Sequence, residues 1–584
     1  MPTILVQTRP LSQKMKRALV PSALAFLLSA CSGSGLFTNE VTESLKMAAY
    51  ASSEFYINKA EQTTKETQQS YRLLAIRKLI EEKKVVEAQN TMANLRLPEL
   101  NAIQQVEFQL LSAQLATLQK NYPQANHLLQ QVLYKPLSTN QLIRLYQTEA
   151  QIAENSHNVI ESIRARIRLD RLLTDNLSRQ DNNNKIWENL RNANQGMLSS
   201  TTVNTGETDL AGWLALVLTY NHYLINPSEL PNAIVQWKRQ YPSHSAAHLL
   251  PTELQNIANF QQTQLNRVAL LLPFSGNAKV LGDMIKKGFD DAKGDAPTSV
   301  QLYDTASAPI ADLISQAKLQ GAQTIIGPLL KFRVDELAQT ADFRDVNVLA
   351  LNTTQNTKAI AQLCYYGLSP EAEARSGAER LVRDGIQYAI VFAPQDDFGQ
   401  RSADAFVQRW RQLTNRDADV RYYHQVADSL SSLSQTGIPQ GSGLYLLGTT
   451  PAQVIELKQG LDNSALSEQF PIYTSSRTNS PNNGADFRFT MEGVKFSEIP
   501  LLAQPQSDLY KKIEKVAESD FSMMRIYAMG SDAWSIASKF NEFRQIPGYK
   551  ISGLTGILSA GPNCNIEREM TWLQYQNGAI IPAN

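Results

Sequence analysis

The 584-residue chain is poor in several features that would assign a function directly. It has three cysteines, too few for a disulfide-rich scaffold or a cysteine-rich zinc site. Its 55 basic and 55 acidic residues balance, whereas a nucleic-acid backbone requires clustered lysine and arginine. No apolar run reaches the roughly 20 residues that a membrane-spanning helix needs. We therefore expect neither a nucleic-acid partner nor a membrane-spanning helix.

Catalytic motifs are equally scarce. The sequence contains no Gly-x-Ser-x-Gly, His-Glu-x-x-His or phosphate-loop motif. His244 and His248 are spaced to share one helix face, but no further metal ligand is near them, so ordinary helix residues are the preferred interpretation. The adjacent Asp396 and Asp397 follow a predicted strand, where acidic residues more often cap the next helix than perform acid–base chemistry. We expect no catalytic residue, no metal and no cofactor.

One short apolar run stops at a cysteine near the N-terminus. Four basic residues precede an apolar stretch over residues 18–28, and Leu-Ser-Ala leads into Cys31. A basic start, a short apolar core and small residues at its end describe a secretory signal. The last four residues resemble the lipobox of bacterial lipoproteins, which implies a signal peptide over residues 1–30. Cys31 would then carry an S-diacylglycerol and an N-palmitoyl group. The alternative is an ordinary signal peptide with a chance cysteine.

Lipidation would decide where the protein resides. Each buried CH₂ of an acyl chain contributes about 0.8 kcal/mol, and two or more chains hold a protein stably on a membrane. Ser32 stands where inner-membrane lipoproteins often carry aspartate, so this resemblance implies an anchor in the outer membrane, on its periplasmic side. Residues 31–39 are small and polar, which favours a flexible leash. Removal of the signal leaves 51 basic against 55 acidic residues, a formal net charge of −4.

Residues 40–257 contain little glycine and much Leu, Ala and Gln at helical spacing. Leu74 and Leu111 occupy equivalent places in two successive amphipathic units, at an offset of 37 residues. Small residues recur at the same offset: Ala88, Ala125 and Ser162. Repeats of this length are typical of tetratricopeptide-like helix stacks. We predict a helical repeat domain, with a non-repeating helical bundle as the alternative.

Residues 258–584 change to apolar strands alternating with amphipathic helices. The strands are predicted at 267–276, 299–305, 323–330, 346–352, 388–394 and 443–449. The helices are predicted at 279–293, 309–322 and 401–413. This alternation predicts a doubly wound α/β fold with parallel sheets covered on both faces. The length suffices for two lobes, lobe 1 over about 266–363 and 503–557, and lobe 2 over about 364–502 and 558–584.

Several motifs in this half carry a resemblance. They include Phe274-Ser275-Gly276, Gly327-Pro328, Asp397-Phe398-Gly399 and Glu492-Gly493-Val494, in the order found in type I periplasmic binding proteins. Longer segments, among them CYYGLSPEAEAR, ADFRFTMEGVKFSEIPLLA, RIYAMGSDAW and GLTGILSAGPNC, resemble a family of outer-membrane lipoproteins that activate class A penicillin-binding proteins. The resemblance implies an N-terminal tetratricopeptide-like helical repeat domain followed by a two-lobed type I periplasmic-binding-protein fold.

The same resemblance implies a function without catalysis. Members of that family are outer-membrane regulators of peptidoglycan synthesis. They reach through the peptidoglycan and bind a bifunctional, class A penicillin-binding protein anchored in the inner membrane. We expect this chain to stimulate such an enzyme, in its transpeptidase activity.

The rival interpretation is a lipid-anchored receptor for an amino acid or another small solute. In this fold such ligands bind between the lobes, at strand ends and helix N-termini. Four residues are candidates for lining such a cleft: Ser275, Thr353, Ser475 and Arg477. Turn and capping roles explain each of them equally well. Leu329, Leu330 and Lys331 stand where amino-acid-binding relatives usually have small or hydroxyl residues, which disfavours an amino-acid carboxylate.

Cys364 and Cys564 are the thiols that remain if Cys31 is lipidated, and in an oxidising compartment they are a disulfide candidate. In a type I chain both would lie where the chain crosses between lobes. A loop of this length would stabilise the fold by about 4–5 kcal/mol in the chain-entropy model. The alternative is two reduced, buried cysteines.

Overall fold

The computed structural model describes residues 36–339, 343, 345–354, 359–427, 438–463 and 470–583. The predicted signal peptide and the lipidation site at Cys31 lie outside these residues, so both stay predictions. The first described helix begins at Leu36, within the segment predicted as a leash. No helix in this described part of the chain is long and apolar enough to cross a bilayer.

The chain divides into two compact units. The first comprises residues up to Thr219 together with Val235–Gln255, and the second comprises Tyr220–Ile234 together with the chain from Asn256 onward. The change from helices to alternating strands and helices falls between Ala258 and Arg267. It lies close to the predicted domain boundary at residue 258.

The described chain as far as residue 258 is helical. Its α-helices are α1 (Leu36–Ser44), α2 (Ser53–Glu61), α3 (Lys65–Glu81), α4 (Val85–Ala93), α5 (Ala102–Leu118), α6 (Tyr122–Val132), α7 (Thr139–Asn155), α8 (Val159–Asp170), α9 (Asn176–Asn192), α10 (Gln195–Ser200), α11 (Thr208–Tyr223), α12 (Leu230–Gln240), α13 (Ser245–His248) and α14 (Thr252–Ala258). Asn101 and Ser138 open α5 and α7 with capping boxes, which satisfy backbone N–H groups that a helix start leaves unpaired.

Six of these helices form three successive pairs. The first helices of the pairs begin at Lys65, Ala102 and Thr139, and the second helices follow at the same interval of 37 residues. Three small side chains at equivalent positions are fully buried: Ala88, Ala125 and Ser162. The predicted 37-residue repeat is therefore confirmed.

Each pair turns at a residue in the left-handed backbone conformation. The φ angles are 59° at Lys83, 61° at Lys120 and 56° at His157. The N–H of the residue that follows each of them donates to a carbonyl five positions earlier, at 2.8–2.9 Å, which is the hydrogen bond of a Schellman motif. Non-glycine residues adopt this conformation at a cost of about 1 kcal/mol, so the turn geometry is held by the packing of the pairs.

A buried carboxylate joins the first helices of the three repeats. Glu107 on α5 accepts hydrogen bonds from Arg77 Nη2 on α3 and Arg144 Nη2 on α7, both at 2.6 Å. Arg77 also donates to the carbonyls of Leu45 and Met47. Burial opposes ionisation of Glu107, but the two guanidinium groups outweigh it and hold the pKa of this carboxyl below its ordinary value. The ionic cluster thus fixes the register of the helix stack.

Several helices follow the first strand of the second unit in the part of the chain that the structure describes. They are α15 (Lys279–Lys293), α16 (Ile310–Leu319), α17 (Lys331–Gln339), α18 (Pro370–Arg383), α19 (Asp397–Thr414), α20 (Pro451–Asp462), α21 (Ala485–Thr490), α22 (Asp508–Val516), α23 (Phe521–Ala537) and α24 (Phe540–Gln545). The helices predicted at 279–293, 309–322 and 401–413 correspond to α15, α16 and α19.

The strands that the structure describes in the second unit form three sheets. They are β1 (Arg267–Leu272), β2 (Ser299–Asp304), β3 (Thr324–Ile326), β4 (Asn347–Ala350), β5 (Leu363–Tyr365), β6 (Tyr388–Pro394), β7 (Asp419–Tyr423), β8 (Ser442–Leu446), β9 (Ile472–Thr474), β10 (Lys495–Glu498), β11 (Lys550–Ser552), β12 (Ile557–Ala560), β13 (Ile566–Glu569), β14 (Thr571–Gln576) and β15 (Ala579–Pro582). All six predicted strands are present, and the others are mostly short.

The first sheet is parallel with the order β2-β1-β3-β4-β5. The second has the order β15-β14-β10-β9-β8-β6-β7, parallel except for an antiparallel edge formed by β14 and β15. The third is a small antiparallel sheet of β11, β12 and β13. The order of the first sheet is a doubly wound one. The predicted fold class, a helical repeat domain followed by a two-lobed periplasmic-binding-protein fold, is confirmed.

Two glycines permit the close packing of α15 against α23. A Cβ atom at Gly288 would lie 2.0 Å from the carbonyl oxygen of Tyr527, and one at Gly530 would lie 2.0 Å from that of Ile285. No side chain fits at such distances, so both positions require glycine. This contact fixes α23, which supplies several side chains of the cleft described next.

Candidate functional site

Two adjoining cavities lie between the five-stranded and seven-stranded sheets of the second unit. Their volumes are about 820 Å³ and 410 Å³. Residues that follow the carboxyl ends of β3, β4 and β9 line them, which is where parallel α/β sheets place ligand sites. Five residues line both cavities: Leu281, Leu368, Pro370, Arg477 and Ile526.

Two of the four residues predicted to line a cleft come together here. Thr353 and Arg477 line the smaller cavity. Ser275 is exposed, and its Oγ donates to Asp304 Oδ2 at 2.5 Å. Ser475 is buried, and its carbonyl accepts a hydrogen bond from Thr478. Neither serine is part of the lining of the two cavities. Ser275 instead joins the end of β1 to the end of β2, and Ser475 belongs to a turn.

The segment that carries Arg477 is held from two sides. Glu373 on α18 accepts hydrogen bonds from the backbone N–H and the Oγ of Ser476, at 3.0 Å and 2.8 Å. Arg525 on α23 donates to the carbonyls of Ser476 and Asn479. Ser476 and Asn479 are buried, whereas Arg477 between them is exposed to the cavities. The fold therefore holds the Arg477 guanidinium group in the lining of both cavities.

Arg525 also forms an ion pair that joins two layers of the second unit. Its Nη2 lies 2.6 Å from Glu498 Oε2 on β10, and its Nε donates to Glu498 Oε1 at 3.2 Å. Burial alone would lower the pKa of Arg525, but Glu498 outweighs burial and raises the pKa. Because α23 packs on α15 beside the first sheet and β10 belongs to the second, this pair holds the two lobes together.

The hinge between the lobes is crosslinked. Cys364 on β5 and Cys564 form a disulfide bond with a Cα–Cα distance of 4.7 Å. The next residues, Tyr365 and Asn565, pair as an isolated parallel bridge. The crossing segments therefore run side by side at this point.

A buried carboxylate lies close to the hinge. Asp532 on α23 accepts hydrogen bonds from the backbone N–H groups of Leu554 and Thr555, at 2.7 Å and 2.8 Å, and from the Thr555 hydroxyl at 2.6 Å. Tyr366 bonds to the same threonine hydroxyl. Burial raises the pKa of Asp532, although these donors act against the rise. The network connects Tyr366, the residue after β5, to the turn between β11 and β12.

The two alternative sites considered from the sequence have structural roles. Both ring nitrogens of His244 are hydrogen-bonded, Nδ1 to the N–H of Ala246 and Nε2 to the carbonyl of Asp209, which leaves neither for a metal. Burial lowers the pKa of His244. Asp396 caps α19 by accepting from the N–H of Gly399 at 2.7 Å, and Asp397 pairs with Arg401. The capping interpretation is confirmed.

Sequence reasoning did not identify Glu373 and Arg525, which line the larger cavity, or Glu498, the buried partner of Arg525. All three lie inside the motifs that carried the resemblance, SPEAEAR, GVKFSEIP and RIYAMGS. The signal in the sequence was a charged residue with an apolar neighbour in each of these motifs. Which partners these charges contact depends on the folding of distant segments, so the motifs alone could not pair them.

Comparison with known proteins agrees with this architecture. The sequence model of the family described as "LppC putative lipoprotein" matches residues 46–578. The penicillin-binding protein activator LpoA of Glaesserella parasuis serovar 5 is 63% identical over 585 residues, which covers 100% of both chains. A solved structure of Haemophilus influenzae LpoA is 44% identical, with a TM-score of 0.83, and covers 93% of this chain and 99% of that one.

A second solved structure covers the second unit. It is the LpoA C-domain from Haemophilus influenzae, described as a regulator of PBP1A, and it is 46% identical with a TM-score of 0.53. It covers 55% of this chain and 100% of that chain. The family model spans most of the sequence, and the first relative matches it from end to end. The chain therefore belongs to the LpoA family of LppC-type lipoproteins.

Proposed function

We propose that this protein is a lipid-anchored activator of a class A penicillin-binding protein and has no catalytic activity of its own. The observation that carries the proposal is the end-to-end similarity to a relative named as such an activator, at 63% identity. The C-domain of another relative is described as a regulator of PBP1A. Through its partner the protein would act in peptidoglycan synthesis and so in the maintenance of cell shape.

The bonds across the cleft favour docking over solute transport. A transport receptor of this fold closes its lobes around the ligand, which requires motion at the hinge. Here the Cys364–Cys564 disulfide and the Arg525–Glu498 pair both restrain such motion. A restrained module offers a partner a surface of constant shape, which lowers the entropic cost of binding.

Within this proposal the two units have different roles. The second unit docks on the synthase, because the structurally similar C-domain is the part described as a regulator. The helical unit supplies reach and orientation. Acyl chains on Cys31 hold the protein in the outer membrane, and the chain passes through the peptidoglycan to an enzyme in the inner membrane.

A reconstituted assay tests the activator role. The mature chain, made soluble by Cys31→Ser, is added to a purified class A penicillin-binding protein, and crosslinked muropeptides are counted against total glycan product. We expect the fraction of crosslinked peptides to rise, because the stimulated activity is transpeptidation. An unchanged product in the presence of excess protein would contradict the proposal.

Cell fractionation tests the anchor separately. The full-length chain with Cys31→Ser should be found as a soluble periplasmic protein or an uncleaved precursor, while the unaltered chain sediments with the outer membrane. A Cys31→Ser protein that still fractionates with the outer membrane would refute lipidation at this cysteine.

A further inference from the structure

The helical unit contains a cavity that is lined by charges of both signs. Its volume is about 340 Å³, near the lower end of the range of about 300–1,000 Å³ that small-molecule sites occupy. It lies where α8 ends, against residues of α9, α11 and α13. Its carboxylates are Asp170 and Asp209, and its guanidinium groups are those of Arg171 and Arg179. The two kinds of charge are therefore equal in number.

One carboxylate of this lining is buried without a hydrogen bond to the cation that it faces. Asp170 is the last residue of α8, and its side chain is 10% exposed. Its Oδ1 lies 3.6 Å from Nε of Arg179 on α9, which is too far for a hydrogen bond. Both atoms are buried and lack a hydrogen-bond partner among the described residues. Because buried polar atoms are rarely left unpaired, this place favours a ligand that supplies both a donor and an acceptor.

A second ion pair belongs to the same lining. Arg171 Nη2 lies 2.8 Å from Asp209 Oδ2. A carboxylate has about four acceptor positions and a guanidinium group has five donors, so this contact leaves most of their hydrogen-bonding capacity to a ligand. Ser243, Ser245 and His248 add further polar groups to the lining. The cavity therefore offers donors and acceptors side by side at more than one place.

The remaining lining is apolar. It consists of Ile167, Leu173, Ile186 and Trp213. Trp213 lies on α11 one turn after Asp209, and its ring packs edge-on against that of His244, with 5.1 Å between the ring centres. A sugar ring has hydroxyl groups at its edge and C–H groups on its faces, and these faces pack against aromatic side chains. Apolar surface beside paired donors and acceptors is the lining that such a ring requires.

Charged ligands fit this lining less well than neutral ones. An ion of either sign would meet two like charges in the cavity. An amino acid has one charge for Asp170 and one for Arg179, but it must lose the hydration of both of its charged groups. Those two groups are then used, whereas a sugar has further hydroxyl groups for the Arg171–Asp209 pair and the serines. The lining thus favours a neutral polyhydroxyl ligand.

We propose that this cavity binds a neutral sugar, either free or at the end of a glycan chain. One hydroxyl group accepts a hydrogen bond from Arg179 and donates one to Asp170. Other hydroxyl groups bond to the Arg171–Asp209 pair, and the ring lies against Trp213 and its aliphatic neighbours. This inference goes beyond the activator function and does not depend on it, because docking on the synthase is assigned to the second unit.

Saturation-transfer NMR titrations on the mature chain with Cys31→Ser test the site. The probes are glucose, N-acetylglucosamine and their β-1,4-linked trimers, and the comparison compounds are glucosamine, glucuronate and alanine. We expect at least one neutral sugar to bind, and the comparison compounds to bind about tenfold more weakly or not at all. A trimer that binds at least as tightly as its monomer identifies a chain end as the ligand, and a trimer that binds more weakly identifies a free sugar.

Substitutions in the cavity decide whether the sugar lies there. Asp170→Ala and Arg179→Met should each weaken binding about tenfold, the effect of removing one charge-assisted contact. Asp170→Asn keeps an acceptor oxygen and should weaken binding less. Glu161→Ala and Arg168→Met are the matched controls, because each removes a charged side chain of α8 outside this lining. Circular dichroism of each variant checks that it is folded.

Three outcomes would overturn the proposal. The first is no saturation transfer to any neutral sugar at millimolar concentration, which would leave the cavity to water. The second is equal affinity in the cavity variants and their controls. The third is tighter binding of alanine or a charged sugar than of the neutral sugars, which would assign the cavity to a charged ligand. Because no synthase is present in this experiment, its failure leaves the activator assay unaffected.

Discussion

The two units bury charge in different ways, and the difference indicates where function resides. In the helical unit, Glu107 is fully buried and is paired with Arg77 and Arg144. In the second unit, the Arg525–Glu498 pair holds a segment whose neighbouring residue, Arg477, is presented to a cleft. A buried ion cluster such as that of Glu107 fixes the register of the helices that it joins. The Arg525–Glu498 pair instead holds the segment that brings Arg477 to the cleft.

The largest expected effect concerns the crosslink of the second unit. Replacing both Cys364 and Cys564 with alanine removes a loop constraint over a sequence separation of 200 residues. In the chain-entropy model the substitution lowers the free energy of unfolding by about 4–5 kcal/mol. Hydrogen exchange followed by mass spectrometry should show faster exchange in the second unit, while residues 65–170 keep their protection. Non-reduced digests of the unaltered protein, purified from the periplasm, should contain the linked peptides, and two freely alkylated thiols would contradict the bond.

The buried carboxylate of the helical unit should give the next largest effect. Glu107→Gln leaves the buried Arg77 and the partly buried Arg144 without this counter-charge, which costs about 3–5 kcal/mol. Hydrogen exchange of the variant at increasing denaturant concentration should show reduced protection of the backbone amides in α3, α5 and α7. Glu99→Gln is the matched control, since Glu99 is exposed and lies 3.8 Å from its partner Arg96. Equal stabilities of the two variants would contradict the structural role of the cluster.

The same residue predicts a pH dependence. The folded pKa of Glu107 is lowered from its ordinary value of 4.5, so its contribution is fully present above about pH 4.5 and is lost as pH falls through the folded value. The helical unit should therefore lose stability in acid, and Glu107→Gln should reduce that loss. A pH series of unfolding curves with both proteins measures the difference.

Helix packing in the second unit provides a smaller test. Gly530→Ala places a methyl group 2.0 Å from the Ile285 carbonyl oxygen, and the resulting shift of α15 against α23 should cost about 3 kcal/mol. Gly484→Ala is the control, because a Cβ there meets open space and its φ is −73°. A thermal unfolding scan compares the two. A Gly530→Ala protein as stable as the control would show that the two helices pack less closely than described.

The smallest expected effect is stabilising and lies in the helical unit. Lys83 has a φ of 59°, in the left-handed region that glycine adopts without strain. Lys83→Gly should therefore raise the free energy of unfolding by about 1 kcal/mol. The same substitution at Lys78, inside α3, should instead destabilise by about 1 kcal/mol. Urea unfolding measures both changes in the free energy of unfolding. Opposite signs at the two positions would support the turn geometry of the repeats, and a decrease at both would contradict it.

Much of the fold follows from local patterns. The 37-residue spacing of Ala88, Ala125 and Ser162 predicts the repeats because each repeat buries the same small position. Strands such as β1 and β6 are predicted because they contain continuous apolar runs of five and seven residues. By contrast, β5 and β9 span three residues each, too few for any periodicity to be visible.

The cleft was less predictable because its polar contacts are long-range. Thr353 and Arg477 reach the cavity, whereas Ser275 bonds to Asp304 at the end of β2 and Ser475 belongs to a turn. A hydroxyl near a strand end is equally suited to both roles, and only the folded backbone decides between them. Arg525 and Glu498 meet across two lobes, a contact that no local pattern encodes.

Chemical crosslinking between the intact mature protein and a purified class A penicillin-binding protein tests the central claim most directly. Crosslinked peptides are identified by mass spectrometry, and transpeptidation is measured in the same mixture. The account predicts a complex whose crosslinks lie in residues 258–584 and whose transpeptidase activity is raised. Absence of a complex, or crosslinks confined to residues 40–257, would contradict it.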